Sequence, residues 1–202
     1  MIQRLIAPFA VLVLLLAGCA ASDAEPVPSF TAADGVVFSG PWAKEFSDAY
    51  REAKSSFVKR VLKDGKVSDG EFAEMEEQFR SCLADASVGF DGFGFGGTVE
   101  TKNLGGVSTE GNFAALERCS DETGEYPISP LYYQPKSNPQ NLDGPTITAE
   151  CFVKRKVVPP GYSAKDYERD APGSTFPFTD EKAGAEALEI CTYDPLGLLG
   201  EE

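Results

Sequence analysis

Apolar residues at Trp42, Phe46, Ala49/Tyr50, Ala53, Phe57 and Val61 recur every three to four positions. On a 3.6-residue helix that spacing gathers them into one stripe. It predicts a single helix from Ser39 to about Lys63, with Ser39 and Pro41 at its start. Asp64-Gly65 interrupts the pattern, which resumes as Phe72, Met75, Phe79 and Cys82/Leu83 behind Ser68. The text from Val88 to Lys102 then changes to alternating aromatic and β-branched residues among glycines, the period-2 signature of a short β-hairpin at about 87–95 and 98–102. Further helices are expected at about 111–119, 144–155, from Ser163, and from Thr179-Asp180-Glu181 to near Cys191. Ser129-Pro130 opens a helical turn that Pro135 should stop early. The fold class is therefore mainly α (α+β): one disulfide-stapled helical domain with a small β-hairpin.

The stretch "VLKDGKVSDGEFAEM", residues 61–75, resembles the back half of an EF-hand loop, with Asp64-Gly65 followed by Glu71. Aligning it puts Arg60 and Leu62 where two oxygen ligands belong, and calcium takes six to eight oxygens. The same letters make a helix start. Ser68 is the N-cap, Glu71 the reciprocal N3 partner, and Val67 with Phe72 the hydrophobic staple. That grammar recurs at Ser163 and Asp166, flanked by Tyr162 and Tyr167. No metal site is expected.

The first residues carry Arg4 and then an apolar run from Leu5 to Ala17, a signal-peptide pattern too short for a membrane span. The run ends in Leu16-Ala17-Gly18-Cys19, which resembles the lipobox of bacterial lipoproteins. That resemblance implies cleavage before Cys19 and attachment of diacylglycerol, with palmitate, to its thiol, so residues 1–18 read as signal peptide. Residues 19–36 read as the lipidated cysteine and a flexible tether. Residues 37–202 read as one extracytoplasmic domain, enough chain for a sizeable core. The net charge is −14, and losing the leader removes Arg4 and no acid. Such a surface repels nucleic-acid backbones, so no nucleic-acid partner is expected.

Setting Cys19 aside leaves Cys82, Cys119, Cys151 and Cys191. An even number in an exported chain points to two disulfides. Three pairings are open; Cys82–Cys119 and Cys151–Cys191 are favoured because they join neighbours and close loops of similar length. The similar loops also suggest a diverged duplication of the two halves. A zinc site is disfavoured by the absence of any CxxC pair and of histidine. Lacking histidine, the chain also cannot build Ser-His-Asp or Cys-His catalysis. Paired carboxylates remain open, as in glycoside hydrolysis, but 32 acids do not single out a pair. "GFDGFGFGG", residues 89–97, lacks the Lys-Ser/Thr of a phosphate loop, and no cofactor is implied. Its Phe90, Phe93 and Phe95 either contact a partner or cap the core, the second being the commoner use of such residues. "SPLYYQPKSNPQN" and "SAKDYERD" cluster polar groups suited to ligand recognition or simply to loops.

Together with the lipobox, "DGKVSDGEF" leading into "FRSCL", then "PLYYQPKSNPQN", "ECFVKRKVVPPGYSAKDYERD" and "CTYDPLG", resemble a loose family of small secreted or lipid-anchored proteins of high-GC Gram-positive bacteria. The resemblance implies an envelope location and disulfides, and it adds no catalytic residue. The expectation is a lipid-anchored protein on the outer face of the cell membrane, with a binding or interaction role toward an envelope protein or glycan. A carboxylate-dependent enzyme acting on cell-wall glycan and a transporter's solute-binding lipoprotein are the alternatives.

Overall fold

A computed structural model describes residues 27–103 and 105–200. The signal segment and Cys19 lie outside the described residues. The described residues are mainly helical, with two small antiparallel strand pairs and two disulfides among them.

The chain enters through β1 (Ser29–Thr31) and β2 (Val37–Ser39), so part of the expected tether is instead a hairpin. Its register brings Phe30 opposite Phe38, and Phe38 is 1% exposed. The burial of Phe38 against Tyr50, ring centroids 5.5 Å apart, explains why this polar text folds. Tyr50 also donates its hydroxyl hydrogen to Asp34 in the hairpin turn at 2.6 Å.

The expected long helix is two. Helix α1 (Ala43–Glu52) stops at Ala53, whose ψ of 123° leaves the helical region. Helix α2 (Ser56–Leu62) restarts behind Ser55, whose hydroxyl accepts the Val58 N–H at 3.1 Å. The apolar stripe survives the break because Phe46, Tyr50, Val58 and Val61 are all buried. The 3.6 period therefore reported the face up to Tyr50 and at Val61 but missed the interruption, which buries Val58 and leaves the expected Phe57 half-buried. Ser39 ends a strand and caps no helix.

After the Asp64-Gly65 break, α3 (Asp69–Asp85) begins with the expected capping box. Glu71 N–H donates to Ser68 Oγ and Ser68 N–H donates to Glu71 Oε2 at 3.0 Å. Asp64 accepts from Lys66 N–H as a turn residue. Among the described residues no acid, cysteine or histidine group is placed to hold a metal ion. Phe72, Met75, Phe79 and Leu83 form the buried stripe of α3.

Strands β3 (Val88–Phe93) and β4 (Val99–Asn103) pair beyond it, with Phe90 opposite Thr101 but Gly92 opposite Glu100. Asp91 is thus an extra residue in one strand. A one-residue slip exchanges the faces of a strand. The bulge therefore lets both Phe90 and Phe93, three positions apart, turn toward the core.

Helix α4 (Thr109–Thr123) is longer than expected, and Gly124 ends it in the left-handed region at φ 76°. Helix α5 (Glu125–Ser137) kinks at Tyr126 and then runs through both Pro130 and Pro135. Pro130 lies in the first turn after the kink, where its missing N–H forgoes only the first bond of the resumed helix. Pro135 costs one bond near the end, and burial of Ile128 and Leu131 on α3 and α4 outweighs it. The expected early stop does not occur.

Helix α6 (Gly144–Lys154) is capped by Asp143, α7 (Ala164–Asp170) by the Ser163–Asp166 box, and α8 (Glu181–Tyr193) by Asp180. Disulfide Cys82–Cys119 joins α3 to α4, and Cys151–Cys191 joins α6 to α8. Each stabilises the fold by about 3–4 kcal/mol through its effect on the unfolded chain.

Among the described residues two hydrophobic clusters result. The larger runs from Phe38 to Leu131. The smaller centres on Phe152, ringed by Tyr162, Tyr167, Phe176 and Phe178. The first cluster contains a hairpin between its bridged helices and the second contains a helix there, so the two halves do not share a topology. The hairpin tip touches the second cluster's side of the molecule: Phe95 meets Tyr193 edge-to-face, centroids 6.4 Å apart.

Candidate binding cleft

The aromatic residues singled out from the sequence do not form an exposed platform. Phe90 is 6% exposed and packs edge-on against Phe79. Phe93 is half-buried among Phe72, Phe79 and Phe90. Phe95 is half-buried beside Tyr193. Phe90 is thus taken up by the core, while Phe93 and Phe95 pack against the core and against α8 with part of each ring still accessible.

A cleft of about 690 Å³ opens elsewhere, where α1 gives way to α2 and α4 gives way to α5. Its size lies in the range of small-ligand pockets, roughly 300–1,000 Å³. Both chain breaks follow from local sequence. The Ala53-Lys54-Ser55 interruption separates α1 from α2, and Gly124 turns the chain between α4 and α5. A Cβ on Gly124 would run into Val58 Cγ2, so α2 approaches α5 this closely only because residue 124 is glycine.

The apolar part of the lining comes from Ala49, Ala53, Val58, Pro127, Pro130 and Leu131. Tyr126, 71% exposed, stands at the kink of α5 as part of the wall. The polar part is acidic: Glu45, Asp48, Glu52, Asp121 and Glu122 against Lys54. Helices α1 and α4 both end here, which brings the negative ends of two helix dipoles to the cleft, partly offset by the starts of α2 and α5.

The carboxylates are not equivalent. Asp48 receives Lys44 Nζ at 2.6 Å and Arg51 Nη2 at 3.0 Å. The hydrogen bond from Lys44 holds its carboxyl below the usual aspartate range. Arg51 is shared with Glu52 at 3.7 Å, and Arg118 pairs with Glu122 at 3.1 Å. Glu45 accepts Asn141 Nδ2–H on Oε1 at 3.0 Å, whereas its Oε2 is buried without a hydrogen-bond partner. A buried carboxylate oxygen lacking a donor is costly in place. Nothing in the spacing of this glutamate marks it in the sequence; the signal is the loop 138–142, which folds back over the start of α1. There Asn141 also reaches Pro41 O, and Trp42 Nε1–H donates to Asn138 O at 2.9 Å.

Behind the wall, burial pushes the Glu125 carboxyl up, opposed by hydrogen bonds from Ser120 and Ser129. Ser120 Oγ–H reaches it at 2.7 Å. Glu125 does not line the cleft.

A second, smaller hollow of about 230 Å³ lies between Trp42, Lys66, Tyr132 and Lys136. Its Tyr132 and Lys136 are already engaged. Lys136 lies 3.4 Å from the Tyr132 ring centroid, and both groups bond Asp69. The larger cleft is the stronger candidate.

No family model, curated protein or solved structure matches the chain, so its own sequence and geometry carry the functional reading.

Proposed function

We propose that the protein is a lipid-anchored lipoprotein of the cell envelope whose folded part is a non-catalytic binding module, with the α1–α2/α4–α5 cleft as its binding surface. The lipobox at Cys19 and the preceding apolar run support anchoring. Two disulfides fit an oxidising compartment, and no helix among the described residues is long and apolar enough to cross a membrane. The observation that carries the binding role is the open cleft with an apolar floor and a partnerless buried oxygen. With lipid on Cys19, the segment up to Val27 would keep the folded part within about 29 Å of the bilayer, at ~3.6 Å per residue.

A carboxylate-type hydrolase of cell-wall glycan is the second reading, favoured by the acids in the same cleft. That chemistry needs one carboxyl kept protonated beside an ionised one. The carboxyl pushed up by burial is Glu125, which is tied to Ser120 and outside the lining. A two-lobed solute clamp is supported less, because the cleft is built from elements of the first hydrophobic cluster and does not lie between the two clusters.

The test is made in intact cells. Labelled palmitate should enter the wild-type protein and be absent from Cys19→Ala, which should partition into the aqueous phase on detergent phase separation. A photo-crosslinker at Tyr126 should capture an envelope partner in cells. Cleavage of cell-wall glycan by the purified protein, lost in carboxylate variants of the cleft, would replace the binding reading with the hydrolase.

A further inference from the structure

Resting on the binding role proposed above, we infer that the cleft takes a basic peptide segment of a partner protein, with an aliphatic or aromatic side chain on the cleft floor and a lysine or arginine against Glu45. Three observations converge on that chemistry. The floor of Ala49, Ala53, Val58, Pro127 and Leu131 is apolar and unsuited to a purely polar ligand. The lining above it carries five carboxylates and a single cation, Lys54. The cations that pair with Asp48 and Glu122 stand outside the lining, and among the described residues none pairs with Glu45.

Glu45 fixes where the ligand's charge goes. Asn141, itself anchored by donating to Pro41 O, holds one of its oxygens, so the side chain is positioned before any ligand arrives. The other oxygen lacks a donor. Glu45 lines the cleft, and the last torsion of a glutamate is broad and two-fold, so its carboxyl group can turn to meet a donor placed there. An ammonium or guanidinium supplies the missing N–H as a charge-assisted bond, roughly twice as strong as a neutral one. An acidic peptide would bring like charge to a lining that already carries five carboxylates, and a neutral one would offer Glu45 only the weaker uncharged N–H. A polyamine would satisfy Glu45 but leave the floor and Tyr126 uncovered. The volume of about 690 Å³ holds a few residues of extended chain, more than a single amino acid fills.

The experiment uses the full chain in detergent micelles and fluorescence anisotropy of labelled, end-blocked hexapeptides. The probe is KLKFKL; the comparisons are ELEFEL and the cationic but non-apolar KGKSKG. The expected result is binding of KLKFKL at least ten-fold tighter than either comparison, weakening as salt rises from 20 to 300 mM. Glu45→Gln should weaken it at least five-fold. Tyr126→Ala, at an exposed position with no role in the core, should weaken it two-fold or more with unchanged circular dichroism. The second variant keeps the outcome decisive should Glu45→Gln fold poorly. Equal binding of ELEFEL, or KLKFKL affinity unmoved by Tyr126→Ala and by folded Glu45→Gln, would overturn the inference. KGKSKG or spermine binding as tightly as KLKFKL would overturn it in favour of a small polycation. If the peptides fail while crosslinkers at another face of the protein still capture an envelope partner in cells, the binding role stands and this assignment of its ligand falls.

Discussion

Gly124 shows how much a single position can carry. Its φ of 76° is a region in which a side chain costs about 1–2 kcal/mol, and Val58 occupies the place of its Cβ. Gly124→Ala should therefore destabilise the protein by about 2–4 kcal/mol, read from urea unfolding, strain and overpacking acting together. Gly70 is its opposite. It lies in the first turn of α3 with open space around it, so Gly70→Ala should raise stability by about 0.5–1 kcal/mol in the same assay. The sequence distinguishes these two glycines poorly, since both stand beside polar residues at helix ends. What separates them is a neighbour 66 residues away in one case and solvent in the other. The same holds for Glu45, whose partner Asn141 is brought by a loop, and for Phe93, turned inward by a bulge at Asp91.

At the scale of elements, short-range chemistry was legible. The capping boxes at Ser68 and Ser163 could be read directly because donor and acceptor lie three residues apart. The α1–α2 break and the passage of α5 through Pro135 could not, because tertiary burial decides both. Helix α7 offers a pH test of its cap. The Ser163 hydroxyl, then Arg169, hold the Asp166 carboxyl at about 2. A folded-state value below the ordinary ~3.8 means that this contribution is present above about pH 4 and is lost as pH falls through about 2. Proton titration by NMR should show Asp166 ionising near 2 in wild type and closer to its ordinary value in Ser163→Ala. The amides of α7 should lose protection over the same acid range.

For the whole molecule, the even cysteine count made two bridges legible, whereas the division into two hydrophobic clusters was not, since a single apolar count does not say how many cores share it. The division has a measurable consequence. Removing the second bridge by replacing Cys151 and Cys191 with serine should speed amide exchange in α6, α7 and α8 by at least ten-fold. Exchange in α3 and α4, still joined by Cys82–Cys119, should change far less. Uniform acceleration through the chain would show that the clusters unfold as one unit.

The hairpin tip adds a constraint of a different kind. A side chain built at Gly96 would run into the Cβ and ring base of Tyr193, and one at Gly97 into the ring of Tyr133. Two adjacent residues in a turn are thus moulded against two tyrosines on separate helices, one of them almost a hundred positions further along the chain. Such an arrangement ties the evolutionary fates of distant sites: a side chain gained at 96 is tolerable only with a smaller residue at 193. Lineages carrying one change should carry the other, and a Gly96→Ala chain should be partly rescued by Tyr193→Gly, which removes the Cβ that the new methyl meets first, and not by Tyr193→Ala, which keeps it.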